Sequence, residues 1–178
     1  IEATGGPAVR RIRKLRVEVA DARDGKDKGA VFTFAQDEVR IGSSEDADVP
    51  LADPAISREH LAVRLSANGY TLADLGSTNG TFVGDLRIER VTIVEPTLVR
   101  LGQTILRLVP LAESVEQEIS PRARFGRMLG QSAAMRETFA MLERVAGTDL
   151  TVLLEGETGT GKELAAEGLH DASGRSGQ

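Results

Sequence analysis

The sequence contains no cysteine and no tryptophan, with a single tyrosine and five phenylalanines among its 178 residues. Without cysteine there is no disulfide, thiolate metal site, iron–sulfur cluster or cysteine nucleophile. With aromatics at only 3%, the core has to be assembled from Val, Leu, Ile and Ala. The two histidines, His60 and His170, lie too far apart in sequence to suggest a histidine-based metal site. No apolar run approaches the roughly 18 residues of a membrane-spanning helix, and no signal-peptide pattern opens the chain. The expectation is therefore a cytoplasmic protein with no membrane partner. Basic residues do not dominate either. The formal net charge is −5, which argues against a general nucleic-acid coat, so any bound anion must be held by a local site. What is present is ordinary for a folded protein: 40% hydrophobic and 28% charged residues. The length suits one domain, or one domain and a piece of another. The chain opens on Ile1 instead of Met, which suggests a fragment or processed piece.

The pattern changes near residue 110. Before it, short Val/Leu/Ile-containing runs at 14–20, 30–34, 38–41, 61–66, 69–74, 81–83, 98–101 and 104–109 read as strands. Turn signals separate them: Asp24-Gly25, Asn68-Gly69, Asn79-Gly80 and Gly102-Gln103. Many short strands at this spacing predict an antiparallel sandwich or barrel, with no helix in this half. The basic run Arg10, Arg11, Arg13, Lys14, Arg16 reads as a solvated lead-in over 1–13, with Leu15 and Val17 facing inward. A phosphate-binding arm is the alternative.

After Pro110, residues 111–124 carry Glu113, Glu116 and Glu118 without a clear apolar stripe, and read as a linker with at most a helical turn. Ser132 can then cap a helix whose apolar positions are Met135, Phe139, Leu142 and Val145. Residues 150–154 form a short apolar run of the kind found in buried parallel strands. The segment 163–170 reads as a helix, and 173–178 as a loop. Residues 125–178 hold too few apolar positions to bury a core of their own, so this part is expected to be mobile or partly disordered.

Between that run and that helix, Gly156-Glu157-Thr158-Gly159-Thr160-Gly161-Lys162 fits G-x-x-x-x-G-K. Glycines let successive backbone N–H groups turn toward phosphate oxygens, a lysine reaches the outer phosphates, and the helix N-terminus faces the anion. A glycine-rich surface turn is the plainer alternative. Glu163 stands where a Ser or Thr hydroxyl ordinarily holds Mg²⁺. An NTPase also needs an acidic strand for the metal, and the residues after Glu163 are too few to provide one. The expectation is a phosphate loop without a complete catalytic site, and no catalytic residue is assigned.

A second constellation lies in the first half. Gly42-Ser43-Ser44, Ser57-Arg58-Glu59-His60 and Gly76-Ser77-Thr78-Asn79-Gly80-Thr81 fall at strand-to-loop junctions. Brought together, a guanidinium, hydroxyls and a side-chain amide make a site for a doubly charged phosphate. Singly, each has a bland reading, Asn79-Gly80 as a turn and Ser57 as a cap. Taken together, Gly42, Ser57-Arg58-x-His60 and Asn79-Gly80-Thr81-x-Val83 resemble the forkhead-associated (FHA) domain over 14–110.

That resemblance implies a mainly β fold, a sandwich of about eleven strands, that binds phosphothreonine peptides through its loops. It implies phosphopeptide contacts from Ser43, Ser57, Arg58, Thr78 and Asn79, with Gly42, His60 and Gly80 serving loop architecture. Ser43 departs from the family pattern, which has an arginine there. Either Arg58, helped by Arg40, suffices, or phosphate dependence is weakened.

The second half, with Phe125-Gly126-x-Met128-Leu129-Gly130-x-Ser132 and Gly156 to Glu163, resembles the start of the AAA+ domain of sigma-54-dependent transcription activators. It covers 125–178, an incomplete α/β phosphate-loop segment in which Glu163 is typical. The resemblance implies ATP and Mg²⁺ as cofactors of a longer parent, with nothing expected bound to this piece. Implied partners are a phosphothreonine-bearing protein, such as a Ser/Thr kinase or another copy, and sigma-54 RNA polymerase and DNA through regions outside this chain. The competing readings are a phosphate-independent interaction module and a small phosphate-loop NTPase.

Overall fold

The computed structural model describes residues 8–23 and 25–174. The start of the N-terminal lead-in, Asp24 of the first turn and the end of the C-terminal loop lie outside the described residues. Two compact units emerge, one of Ile12–Val115 and one of Ile1–Arg11 with Glu116–Gln178.

The first unit is a β-sandwich. Its strands are β1 (Ala8–Asp21), β2 (Val31–Phe34), β3 (Glu38–Gly42), β4 (Val49–Pro50), β5 (Leu61–Ser66) and β6 (Gly69–Asp74). They continue with β7 (Thr81–Val83), β8 (Leu86–Ile88), β9 (Arg90–Ile93), β10 (Thr97–Leu101) and β11 (Thr104–Ile119). One sheet has the order β2-β1-β11-β10-β7-β8 and the other β4-β3-β5-β6-β9. No helix interrupts residues 30–108.

Alternation builds the core. In β10, Val99 and Leu101 are buried while Leu98 and Arg100 face water; in β11, Leu106 and Leu108 point inward. Leu15 and Val17 of β1, Val39 and Ile41 of β3, Leu61 and Val63 of β5 and Leu72 of β6 complete the same cluster. Each fully buried aliphatic side chain contributes about 1.5–3 kcal/mol. The one tyrosine, Tyr70, is also buried, and its phenol donates to the Arg13 carbonyl, which satisfies its polar end. The Asn68-Gly69 pair closes the β5–β6 hairpin, with Ser66 opposite Gly69.

Three strands escape the sequence pattern. β4 and β8 are too short to show alternation, and β9 follows β8 with a single residue between them. The expected linker is a larger difference, because β11 continues as strand to Ile119. Its glutamates are exposed along an extended ribbon instead of a coil. Glu113 pairs with Lys14 and Glu116 with Arg11, while Ile119 is buried. The basic run is therefore the strand β1, with part of its charge neutralised by β11.

The second unit contains a short ribbon, β12 (Arg124–Phe125) with β13 (Met128–Leu129), and two helices, α1 (Ala133–Ala146) and α2 (Lys162–Ala172). Ser132 caps α1, its hydroxyl accepting from the Met135 N–H. Contrary to the expectation of no core, Phe125, Phe139, Leu142 and Ala165 pack into a small cluster of their own. Gly168 makes this possible, since a Cβ there would sit 2.7 Å from a Phe125 ring carbon. The strand expected at 150–154 does not form, and Leu150 and Leu153 are exposed. A strand needs a paired neighbour, and among the described residues none lies alongside this run.

Candidate functional site

Three loops meet around Ser57 at one end of the sandwich. The first leaves β3 at Gly42, whose missing side chain is a packing requirement: a Cβ there would lie 2.0 Å from the Arg58 carbonyl oxygen. With that approach allowed, the Ser43 N–H donates to the Ser57 carbonyl and the Ser44 N–H to the Arg58 carbonyl. The second loop, which enters β5, is pinned by His60. Its ring is fully buried and accepts from the Ser57 N–H at Nδ1, so Nε2 carries the proton and donates to the Gly80 carbonyl at 3.3 Å. Burial pushes the His60 pKa below its ordinary value, and the Gly80 carbonyl and Asp74 only partly oppose this. The ring is neutral.

The third loop runs from β6 to β7. The Thr78 N–H donates to Ser57 Oγ at 3.1 Å, and the Asn79 amide donates to the Ala55 carbonyl at 2.8 Å. Gly80 follows with φ +82°, a left-handed conformation that favours glycine. Asp74 organises the turn, accepting from the Gly76 and Ser77 N–H groups and from the Ser77 and Thr81 hydroxyls. Burial alone would raise the Asp74 pKa, but these donors hold it below the usual range.

Beside Ser57 opens a concavity of about 500 Å³, lined by Ile41, Ser44, Ala47, Ser57 and Arg58, with Arg40, Asp46 and Glu59 at its charged edge. The two arginines differ. Arg40 donates to Glu59 at 2.6 Å and to Glu38 at 3.0 Å, contacts that raise its pKa and neutralise its charge. Arg58 is exposed, and its guanidinium has no partner among the described residues. Ser57 Oγ accepts from Thr78 but keeps its own proton to donate. Ser43, Thr78 and Asn79 are exposed; they stand around Ser57 without lining the concavity.

The phosphate-loop residues lie in the other unit. Gly159 and Gly161 take φ of +84° and +90°, and α2 begins directly after Gly161 with no side-chain cap on its first N–H groups. Lys162 Nζ donates to the loop's own carbonyls, at Gly156 (2.8 Å) and Glu157 (2.6 Å), and the Thr160 hydroxyl also donates to Glu157. Thr158 and Glu163 are exposed. Uncapped N–H groups beside a lysine suit a phosphate chain, and an anion would draw Lys162 off those carbonyls. Among the described residues no group of three His, Asp or Glu side chains is placed to hold a metal.

The family model described as the inner membrane component of T3SS, cytoplasmic domain, matches residues 23–112. The FHA domain of CT664 from Chlamydia trachomatis superposes with a TM-score of 0.50 at 33% identity, covering 56% of this chain and 99% of that one. The chain belongs to this FHA-type family.

The solution structure of an Arabidopsis thaliana FHA domain shares the fold, with a TM-score of 0.53 at 20% identity over 62% of this chain and 97% of that chain. Beyond the FHA unit, a sigma-54 interaction domain matches residues 128–178. Over 79 residues the chain is 49% identical to the formate hydrogenlyase transcriptional activator of Salmonella typhimurium, which is 44% of this chain and 10% of the relative. The chain thus spans about a tenth of that relative's length.

Two anchors of the FHA site were not singled out from sequence. Asp74 carries an Asx-turn signal, an acid followed by Gly76 and Ser77, which could have marked it. Asp53 is the other. Burial would raise its pKa, but N–H donors from Ala55 and Gln103 and the Thr104 hydroxyl lower it, and these bonds hold the Ala55 turn against β11. Gln103 and Thr104 are about 50 residues away in sequence, so no local pattern announces their hold on it.

Proposed function

We propose that the FHA unit reads phosphothreonine peptides as the sensory part of a bacterial sigma-54-dependent transcription regulator. The observation that carries the reading is the unpaired guanidinium of Arg58 beside the free donor of Ser57, at the end where the three loops meet. A phosphothreonine brings about −1.5 to −2 charges and three acceptor oxygens, and so calls for several donors together. Arg58 supplies the charge, Ser57 and Thr78 supply hydroxyls, and Asn79 holds the peptide-facing loop through Ala55. Ser43 contributes a neutral hydroxyl at most, and Arg40 is already neutralised by Glu59 and Glu38. The phosphate charge therefore rests on Arg58.

The test is a titration with matched phosphorylated and unphosphorylated threonine peptides. The wild type should prefer the phosphorylated form. Arg58→Ala should lose about 1.5–3 kcal/mol of binding, roughly ten- to a hundredfold, against about 1 kcal/mol for Ser57→Ala. Equal binding of both peptides by the wild type would make this a phosphate-independent interaction module.

The second unit is proposed to act within a longer protein that binds ATP, with Gly156 to Gly161 and Lys162 on the phosphates and Glu163 near Mg²⁺. The phosphorylated partner would be a Ser/Thr kinase or another copy of this protein, and its binding would bias assembly of the ATPase on sigma-54 polymerase. The chain itself is expected to show no ATP turnover. Leu150 to Leu154 do not form the strand that delivers a phosphate loop, and Lys162 sits on its own loop's carbonyls. Steady phosphate release by the purified chain, abolished by Lys162→Ala, would contradict this.

A further inference from the structure

A second unpaired arginine stands on the far flank of the Thr78-Asn79-Gly80 loop. In the β7–β8 hairpin Arg87 lies opposite Phe82. Its guanidinium stem packs against Gly80, where a Cβ would lie 2.6 Å from Arg87 Nε and 3.1 Å from Cζ. Gly80 therefore serves three ends: a left-handed turn, a carbonyl for His60, and room for Arg87.

Five other arginines of this unit are already engaged. Arg40 and Arg64 bind Glu38, Arg107 and Arg16 approach Glu18, and Arg100 covers the Phe82 ring at 4.1 Å. Arg87, like Arg58, is exposed and has no partner among the described residues. It lines a concavity of about 600 Å³ with Gly76, Ser77 and Glu89. Glu89 makes no ion pair with it among the described residues, and the Asp74 carboxylate there is occupied by its own donors.

We infer that Arg87 recognises a second anionic group on the same ligand, a carboxylate or another phosphate a few residues from the phosphothreonine. This rests on the phosphothreonine reading and narrows it to doubly anionic peptides. Arg58 adjoins Ser57, which holds Thr78, while Arg87 adjoins Gly80, so the two cations bracket the loop that would carry the peptide backbone. A planar guanidinium with unused donors matches a carboxylate or phosphate in two-point fashion. An extended peptide advances about 3.3 Å per residue, so a short segment can reach both cations.

The experiment is a set of phosphothreonine peptides, neutral elsewhere, in which one aspartate or one phosphoserine is moved along the flanks. Each is titrated against the wild type, Arg87→Gln and Arg107→Gln. At one flank position the added anion should tighten wild-type binding about fivefold or more. Arg87→Gln should erase that gain while leaving the neutral phosphothreonine peptide unchanged, and Arg107→Gln should keep it. The aspartate and phosphoserine arms tell which anion is preferred. No favoured position, an equal gain in Arg87→Gln, or an equal loss for neutral and acidic peptides would overturn the inference. If the wild type ignores the threonine phosphate, the underlying reading fails instead. The unphosphorylated series then decides Arg87 separately, by whether its aspartate gain is present and vanishes with the variant. Absence of binding throughout overturns both.

Discussion

Gly42→Ala is expected to destabilise the FHA unit by about 3 kcal/mol or more, at the upper end of overpacking penalties. The added methyl would sit 2.0 Å from a backbone oxygen, that of Arg58, and neither strand β3 nor the Ser57 loop can move without breaking hydrogen bonds. Backbone conformation is not the cause here, because Gly42 has an ordinary φ. Gly76→Ala separates the two effects. Gly76 has φ +77° and open space around it, so its variant should cost only the roughly 1–2 kcal/mol of a left-handed residue. Denaturant melts of both proteins give the comparison. Equal midpoints for Gly42→Ala and wild type would mean that the β3 and Ser57 loops are not in this contact.

His60→Ala should also cost about 3 kcal/mol or more, through a different route. It leaves a cavity and strands the Ser57 N–H and the Gly80 carbonyl in the interior. His60→Gln should recover part of the loss by replacing one of those bonds. The same residue gives the stability a pH dependence. Its folded pKa lies below the unfolded 6.5, so unfolding takes up a proton as the pH falls through that value. Stability is full above about pH 6.5 and declines below it, by at most about 1.4 kcal/mol per pH unit. Asp53 and Asp74, both lowered, extend the loss into acid below their ordinary 3.8. Melts from pH 7.5 to 5 should show the decline in the wild type and a flatter profile in His60→Gln. A wild-type stability that rises on acidification would contradict a neutral His60.

Much of the sandwich was legible because its strands alternate and end at Gly-containing turns. The runs at 61–66, 69–74 and 81–83 are strands with those same limits. Two segments misled for opposite reasons. Glu113, Glu116 and Glu118 looked like a solvated linker, yet an extended ribbon carries such charges when Lys14 and Arg11 stand across from them. Residues 150–154 looked like a buried strand by composition, yet strands are made by neighbours, and composition does not supply one.

At the site, residue types and spacing pointed to the loops, but the electrostatics came only with the fold. In the sequence Arg40 stands as a helper to Arg58; in the fold Glu38 and Glu59 pair with Arg40 and leave Arg58 alone. The part played by Arg87 depends on a hairpin register that brings it beside Gly80, and no local motif encodes that.

If the three-loop end reads phosphothreonine, binding will be visible residue by residue. Amide chemical shifts of isotope-labelled protein, followed through titration with a phosphothreonine peptide, test it most directly. The amides of Ser43, Ser57, Arg58, Thr78 and Asn79 should move and saturate together. Those of Gly156 to Glu163 should stay still, and the unphosphorylated peptide should move none of them at the same concentration. Shifts located elsewhere on the sandwich, or equal shifts with both peptides, would contradict it.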